Sequence, residues 1–563
     1  MPPPPVPEEA EEQVGPDPVP EAEAAAAGSG SASSLVAAGI FLSRIAGLVR
    51  QRVLAQFFGT SLYADVFSMG TRMPNVLQNL LGEGTLSASF IPVYSELLER
   101  GETEEAGRVA GAVFSILFAV AATLAAVGVF FAPLLVSVFL PGFEGERREL
   151  TIMFTRIIFP MTAVLVLSAW ALGILNSHRR FFIPYFAPVL WNAAIIAAFF
   201  LFGARSTNAG LLEAVAWGAF AGALLQLAIQ LPTVLRLERN LRFSFGRGME
   251  RVGTVLRNAG PAVLGRGVVQ LSSYLDQVLV SLLAIGGAAA LQYAQTLYVL
   301  PVSLFGMSVA AAELPELSRQ RGGGTEALRA RTSAGLQRVA FYVVPSFVAF
   351  VALGEVLVAG LFQTGDFDRA DTLLVWLTLV GYSLGLIAST GTRLLSSTFF
   401  ALHDTRTPAK VAALRVVAAA VLALLLMIQF EPLEVERLGI SIPAGVFGGV
   451  EVMGKPLGPL GLTLGAGMAA WIEWYLLRRS LRSRLGKVGA GAGPLGRMFA
   501  AAGAGAAAGW GVRLLLPPLH PILTATLVIG TFGIVYFGMA AALHLREIAG
   551  VRTRLGSLLR RFR

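Results

Sequence analysis

The sequence predicts an all-α polytopic membrane protein with about 14 transmembrane helices. We expect two pseudo-twofold-related six-helix lobes followed by two C-terminal helices. Three observations support this fold class. Of 563 residues, 55% are hydrophobic and only 14% are charged, whereas soluble domains carry about 25% charged residues. Apolar runs long enough to cross a bilayer recur along the chain, and basic residues gather in alternate loops. The chain also contains an internal repeat.

A helix needs about 20 mostly apolar residues to cross the hydrocarbon core of a membrane. Fourteen segments satisfy this requirement, and the second and eighth are long and interrupted by Gly and Pro. The predicted spans are 34–59, 62–95, 107–138, 150–176, 182–203, 211–235, 260–286, 288–318, 335–363, 372–402, 408–430, 456–477, 495–517 and 521–545.

The loops that follow even-numbered spans are rich in arginine, whereas several loops after odd-numbered spans are short and bare. The bare loops are 59–62, 286–288 and 517–521. Positively charged loops stay on the cytoplasmic side of a membrane. We therefore expect both termini to be cytoplasmic, and we interpret most of these arginines as signals of topology.

Charge and span order also predict domain boundaries. Residues 1–33 hold seven acids and no Lys or Arg, which predicts a disordered acidic tail and not a signal peptide. The further divisions are an N-lobe (34–235), a basic cytoplasmic loop (236–259), a C-lobe (260–477), two last helices with a preceding basic loop (478–545), and a basic cytoplasmic tail (546–563).

Several classes of site are not expected in this chain. It has no cysteine and four scattered histidines, so neither disulfides nor a thiolate or histidine metal site is predicted. No glycine-rich loop of the nucleotide-binding type is present. We predict no metal, no cofactor and no catalytic residue.

The internal repeat has a spacing of about 226 residues. The first copy, VLAQFFGTSLYADVFSMGTRMP, ends at Pro74, and the second, VLVSLLAIGGAAALQYAQTLYVLP, ends at Pro301. Both copies begin on odd-numbered spans, so they have the same topology. Parallel repeats are typical of transporters in which two halves move around a central site. Arg50 falls about where the second copy has Asp276, so the first lobe is the more basic one.

Arginines within the apolar spans are the most informative residues. A charge at mid-membrane costs roughly 3 kcal/mol on insertion scales, so such residues usually face a cavity. The first span contains Arg44, Arg50 and Arg52, and later spans contain Arg266, Arg393 and Arg415. Their excess over acids predicts a polar cavity that receives an anion, since the planar guanidinium binds phosphate oxygens in pairs.

Other interpretations of these charges remain open. Arg44 could instead form an internal ion pair with Asp65 or Glu83, and Arg52 could extend its side chain to the membrane surface. Arg415 could pair with Asp276. Glu83, which lies between two glycines, could act as a hinge, a proton carrier or an arginine partner.

Five segments resemble one family of membrane proteins. They are SRIAGLVRQRVLAQFFGTSLYADVF (43–67), RMPNVLQNLLGEGTLSASFIPVYSE (72–96), GILNSHRRFFIPYFAPVLWN (173–192), GEVLVAGLFQTGDFD (354–368) and ALHDTRTPAK (401–410). These segments resemble the MurJ/MviN family, the bacterial lipid II flippases of the multidrug/oligosaccharidyl-lipid/polysaccharide exporter superfamily. The stretch 430–456 matches least and is interpreted as an enlarged outer loop.

The resemblance implies a multi-pass protein of the bacterial cytoplasmic (inner) membrane, with a role in peptidoglycan biosynthesis and cell shape. It implies that lipid II moves outward by alternating access without enzymatic chemistry. The implied partners are lipid II or a related undecaprenyl-pyrophosphate-linked glycan, membrane lipids and the cell-wall synthesis machinery; no nucleic acid is implied.

Candidate residues follow from this resemblance together with the charges inside the spans. The substrate-binding candidates are Ser43, Arg44, Arg50, Arg52, Arg72, Arg266 and Arg393. The gating or ion-pair candidates are Asp65, Glu83, Asp276 and Arg415. Gln78 and Thr296 stand where the family has arginine. The eleventh span offers no Asn or Asp, so the sodium site of some relatives is not expected.

Three alternatives to lipid II flipping therefore remain. The first keeps the fold and changes the cargo to another polyprenyl-linked glycan, because two expected arginines are missing. The second is a cation-coupled small-molecule exporter, which should have an acidic cavity. The third is a membrane scaffold without transport, which would leave the cavity charges unexplained.

Overall fold

The computed structural model describes residues 30–307, 313, 324–435 and 439–548, and these residues are mainly helical, which confirms the all-α class. The helices of the first half are α1 (Gly30–Phe58), α2 (Leu62–Leu81), α3 (Glu83–Glu99), α4 (Thr103–Phe130), α5 (Ala132–Phe139), α6 (Gly145–Ser177), α7 (Phe182–Phe202) and α8 (Asn208–Leu237). The predicted acidic tail lies mostly outside the described residues, and α1 begins four residues before the predicted first span.

The second half begins at α9 and contains one stretch of π-helix. Its elements are α9 (Glu250–Ser281), α10 (Gly287–Pro301), a π-helical turn (Val302–Met307), α11 (Gly324–Phe362), α12 (Arg369–Leu384), α13 (Leu386–Ala401), α14 (Arg406–Phe430), α15 (Gly458–Leu485), α16 (Ala492–Leu515) and α17 (Pro521–Ala542).

Ten helices in the described part of the chain are long and apolar enough to cross a membrane, counting α12 and α13 together. They correspond to ten of the fourteen predicted spans. The other four spans, the first, second, seventh and eighth, correspond to α1, α2 with α3, α9 and α10. The number fourteen is therefore not confirmed. Some side chains of the first and seventh spans and part of the eighth lie outside the described residues, and the second span divides at Gly82 into two shorter helices.

Several predicted spans are interrupted. The second span breaks at Gly82 between α2 and α3, and the eighth passes into the π-helical turn after Pro301. The tenth breaks at Gly385, where a Cβ atom would lie only 2.7 Å from the Cα atom of Gly467 on α15. Glycine at both positions lets the two helices approach closely at this break.

Helices pack closely within each half, and one large apolar core is shared by both halves. In the first half, α6 packs against α2, α3, α4 and α8, and α7 packs against α1 and α8; in the second, α15 packs against α12, α13 and α14. The last two helices, α16 and α17, pack on each other and on α11. Helix α9 lies mainly against α3, where Val252 and Val255 share a buried core with Phe90 and Tyr94.

The loop between α14 and α15, interpreted from sequence as enlarged, contains two short antiparallel hairpins. In the first, β1 (Leu433–Val435) pairs with β2 (Ile440–Ile442). In the second, β3 (Glu451–Val452) pairs with β4 (Lys455–Pro456). Strand β1 buries Leu433 and Val435, whereas all of β2 is exposed.

Candidate functional site

The two copies of the repeat contact each other at the end of the molecule formed by the short turns, which we call the short-turn end. Asp65 of α2 is completely buried and accepts hydrogen bonds from the backbone N–H groups of Gly286 (2.7 Å) and Ala289 (2.8 Å). In return, the Tyr293 hydroxyl donates to the carbonyl of Gly59 at 3.1 Å. A carboxylate is stabilised at the N-terminus of a helix, so Asp65 joins α2 to α10.

Arg147 completes this buried contact. Its guanidinium lies 2.8 Å from the Asp65 carboxylate, donates to the carbonyl of Leu283 at 3.0 Å and stacks over the ring of Phe143 at 3.7 Å. Asp65 therefore pairs with Arg147 and not with Arg44. The reason is distance along α1, because Arg44 precedes the turn by fifteen residues, or roughly 22 Å of helix.

A second set of contacts at the short-turn end involves the enlarged loop. Asp371 is buried and accepts hydrogen bonds from the Thr60 backbone N–H (3.3 Å) and from the Thr60 hydroxyl. Lys455 of β4 lies 2.9 Å from the same carboxylate and donates to the Thr60 hydroxyl at 3.0 Å. Lys455 thus connects the loop to α12 and to the first-half turn.

A cavity of about 460 Å³ opens inside the first half, toward the opposite end of the helices. Of the predicted site residues, it brings together Ser43, Arg44 and Glu83, while Gln78 lies on the same wall. Uncharged amide and hydroxyl groups complete the polar part of the lining, among them Asn79, Ser168 and Gln226. We call this the first-lobe cavity.

The π-helical turn lies between two of the predicted arginines. Arg44 donates to the Ser303 hydroxyl at 3.3 Å. On the other side, a Cβ atom at Gly306 would lie 3.1 Å from Thr390 Cγ2 and 3.6 Å from Arg393 Cδ. Arg44 and Arg393 therefore approach one turn from opposite halves of the molecule. π-Helical turns are rare and are frequent at functional sites.

A second polar contact between the halves involves Arg72 of α2. Its guanidinium donates to the side-chain oxygens of Gln292 (2.7 Å) and Gln295 (2.8 Å) on α10. Asp276 of α9 has an exposed side chain and lies within electrostatic reach of both Arg72 and Arg415. Arg72, Asp276 and Arg415 thus lie near one another where α2, α9, α10 and α14 meet.

Arg415 forms its ion pair with Glu473 at 3.0 Å, so the suggested pair with Asp276 is not the one formed. The physical reason is that α14 packs along α15, which places Glu473 directly beside it. Arg393 also lies within electrostatic reach of Glu473. Glu473 was missed from sequence, although an acid in the apolar segment WIEWY is itself a signal of an intramembrane charge.

Arg50 and Arg52 point away from the first-lobe cavity. The Arg50 guanidinium lies over the ring of Trp191, 4.9 Å from its centroid. Arg52 donates to the carbonyls of Gly360 (3.0 Å) and Leu361 (2.6 Å). These contacts follow from helix geometry, since successive residues are rotated by 100° and α1 presents its arginines to different neighbours.

Two further positions bear on the charge of the site. The backbone of Arg266 lies in α9, but its side chain is outside what the structure describes. Thr296, a position at which the resemblance predicts arginine, donates to the carbonyl of Gln292 in its own helix at 2.9 Å. Within the described part of the chain, Thr296 therefore adds no charge to the junction.

The chain is similar in sequence to a known family of membrane proteins. The model of a family described as lipid II flippase MurJ matches residues 54–446. A probable lipid II flippase MurJ of Rhizobium tropici is 32% identical over 447 residues, covering 78% of this chain and 81% of the relative. The lipid II flippase MurJ of Burkholderia cenocepacia is 30% identical over 459 residues, with coverage of 80% and 83%.

Solved structures show the same fold. A lipid II flippase MurJ in an inward closed conformation superposes with a TM-score of 0.70 at 21% identity, covering 90% of this chain and 98% of that chain. An inward-facing multidrug resistance MATE family transporter of the MOP superfamily gives 0.59 at 17% identity, with coverage of 79% and 94%. With the family match extending over most of the chain, these findings identify the group to which it is related: the chain belongs to the MurJ family of lipid II flippases.

Proposed function

We propose that this protein moves lipid II from the inner to the outer leaflet of the bacterial cytoplasmic membrane by alternating access. Family membership supports the cargo. The observation that carries the mechanism is the approach of Arg44 and Arg393 to one π-helical turn from opposite halves. A headgroup bound between the halves can contact both arginines, and relative motion of the halves changes the distance between them.

The arginines suit a pyrophosphate. A guanidinium keeps its charge when water is removed and donates paired hydrogen bonds to phosphate oxygens. Arg44 is exposed beside the first-lobe cavity, so it is available to the diphosphate. The amides and hydroxyls of the same cavity are then placed for hydrogen bonds with the hydroxyl and amide groups of the sugars and the peptide.

The short-turn end is proposed to be the outer gate in its closed state. Its turns carry no basic residue at 59–62 and 286–288, so the positive-inside rule directs it outward and leaves both termini in the cytoplasm. Opening it requires the two predicted lobes, 34–235 and 260–477, to separate at Asp65 and Thr60. Opening also separates apolar side chains that both halves contribute to one shared core.

Growth of cells depleted of their own lipid II flippase tests the proposal. Wild-type protein should restore growth, and Arg44→Gln and Arg393→Gln should not, because each removes a phosphate-binding fork. Arg513→Gln is the matched control, since Arg513 is exposed on α16 and lies outside the first-lobe cavity. All variants are first compared for membrane insertion. Full rescue by well-inserted Arg44→Gln would overturn the assigned role of this arginine.

One observation favours a second cargo. Gln78 lines the first-lobe cavity and Thr296 bonds to its own helix, so two family arginines are replaced by uncharged groups. We therefore keep another undecaprenyl-pyrophosphate-linked glycan as the alternative. Purified protein in vesicles would distinguish the two cargoes, because lipid II and a second undecaprenyl-pyrophosphate oligosaccharide can be compared for the rate at which each crosses the bilayer.

A further inference from the structure

The enlarged loop between α14 and α15 presents an uncharged, apolar tip at the short-turn end. Residues 440–450 read ISIPAGVFGGV and contain no charged side chain. The exposed fractions in and beside this segment are high for large apolar residues: Val446 85%, Phe447 50%, Val450 47% and Met453 63%. Exposed apolar patches of this kind mark sites of contact with a partner or with lipid.

The tip is fixed to the C-terminal end of α14. The backbone N–H of Gly445 donates to the carbonyl of Ile428 at 2.8 Å, and that of Phe447 donates to the carbonyl of Gln429 at 3.0 Å. The ring of Phe447 stacks on Phe430 with 5.3 Å between centroids. The loop is therefore held along the helix, and its apolar side chains have a defined position relative to α14.

Helix α14 itself exposes an apolar stripe. Its members are Leu414, Val417, Val421 and Leu425, each about half exposed, and at 100° per residue they lie within about 80° of one another. Ala423 and Met427 on the opposite face are buried. In a membrane protein such a stripe faces lipid, and the stripe leads directly to residues 428 and 429, where the tip is attached.

We propose that the apolar tip, residues 440–450, lies in the membrane leaflet at the short-turn end and continues the lipid-facing stripe of α14. Lipid is the occupant because the segment is free of charge and extends a surface that already faces lipid. The proposal does not depend on the cargo or on which leaflet this is. It uses only the family's membrane location and the geometry of the loop.

A fluorescent label at Val446 tests this inference. The chain has no cysteine, so Val446→Cys in the full-length protein can be labelled with nitrobenzoxadiazole and placed in phosphatidylcholine vesicles. Because Val446 is almost fully exposed, the substitution removes little packing. We expect blue-shifted emission and several-fold stronger quenching by spin-labelled lipid than for a label at Glu102→Cys, which lies in an exposed charged turn between α3 and α4.

Two results would overturn the proposal that the tip lies in lipid. Water-like emission at 446, with no more quenching than at 102, would overturn the proposal, because the label would then lie in water. A blue shift that is also present in detergent without lipid, and that spin-labelled lipid does not quench, would equally overturn it, because the label would then be packed within the protein. Loss of lipid II transport in the labelled protein would not alter the interpretation of these fluorescence results.

Discussion

The contact between Lys455 and Asp371 provides the sharpest test of the closed gate. Lys455 Nζ lies 2.9 Å from the Asp371 carboxylate, and the two side chains are 29% and 4% exposed. The same ammonium group contacts the Thr60 hydroxyl on the first-half turn. Lys455→Met keeps the length of the side chain and removes its charge. We expect this change to weaken the closed state of the gate.

The size of the effect follows from the burial of the pair. Exposed ion pairs contribute about 0–1 kcal/mol, and removing one partner of a buried pair costs roughly 3–5 kcal/mol. Lys455 is partly exposed, and Asp371 keeps its hydrogen bonds from Thr60. We therefore expect a loss of about 1–2 kcal/mol, which corresponds to a factor of roughly 5–30 in an equilibrium constant. The population of molecules with an open gate should rise by about that factor.

A cysteine reporter measures this population. Ala289 is fully buried at the interface, and its backbone N–H bonds to Asp65, so Ala289→Cys reacts with a membrane-impermeant maleimide only when the gate opens. The labelling rate should increase in Lys455→Met and not in the control Lys410→Met, which changes an exposed lysine on α14. Equal labelling rates in the two variants would refute the assignment of Lys455 to the gate.

Three further variants test single contacts. Arg52→Gln should lower thermal stability in detergent by about 1–3 kcal/mol, because carbonyl partners are left unpaired, yet it should still rescue flippase-depleted cells; failure at normal protein levels would contradict this. Arg44→Lys should rescue only partly, since lysine keeps the charge without the fork, and full rescue would argue against paired phosphate contacts. Burial lowers the pKa of His178 in the folded protein, although Glu238 acts in the opposite direction. The neutral imidazole therefore contributes to folding stability at pH values above the unfolded pKa of about 6.5. That stability is lost as the pH falls below this value, and the melting temperature should fall more between pH 8 and 5.5 in wild type than in His178→Gln; equal falls would contradict it.

The all-α membrane class could be predicted because hydropathy and span length are local properties of the chain. The directions of the arginines could not. Arg50 and Arg52 lie in the same helix as Arg44, but α1 contacts a different neighbour on each face. Only tertiary packing shows that one of the three lines the first-lobe cavity, whereas the other two hold helices together.

Residues of the proposed gate were harder to predict from sequence. Arg147 lies in the predicted loop between the third and fourth spans, and no sequence motif marked it. Its partner Asp65 is far away in sequence. Lys455 lies in the loop that least resembles the family, so no motif pointed to it. A weak signal existed in composition, because the chain has only three lysines. The contact itself joins residues 60 and 455, a separation that no local pattern reports.

Four predicted spans outside the ten recognised by length and composition supply most of the candidate residues of the site. They are the first, second, seventh and eighth, so they occupy corresponding places in the two six-span halves. Their helices, α1 to α3, α9 and α10, supply Arg44, Arg72 and Asp276 and interlock at the short-turn end. A helix surrounded by lipid must be apolar on nearly every face, whereas one that borders a polar cavity or a gate need not be. Gly- and Pro-interrupted spans in corresponding positions of two repeats indicate a site between the repeats, and the candidate residues Arg44, Arg72 and Asp276 lie on these spans.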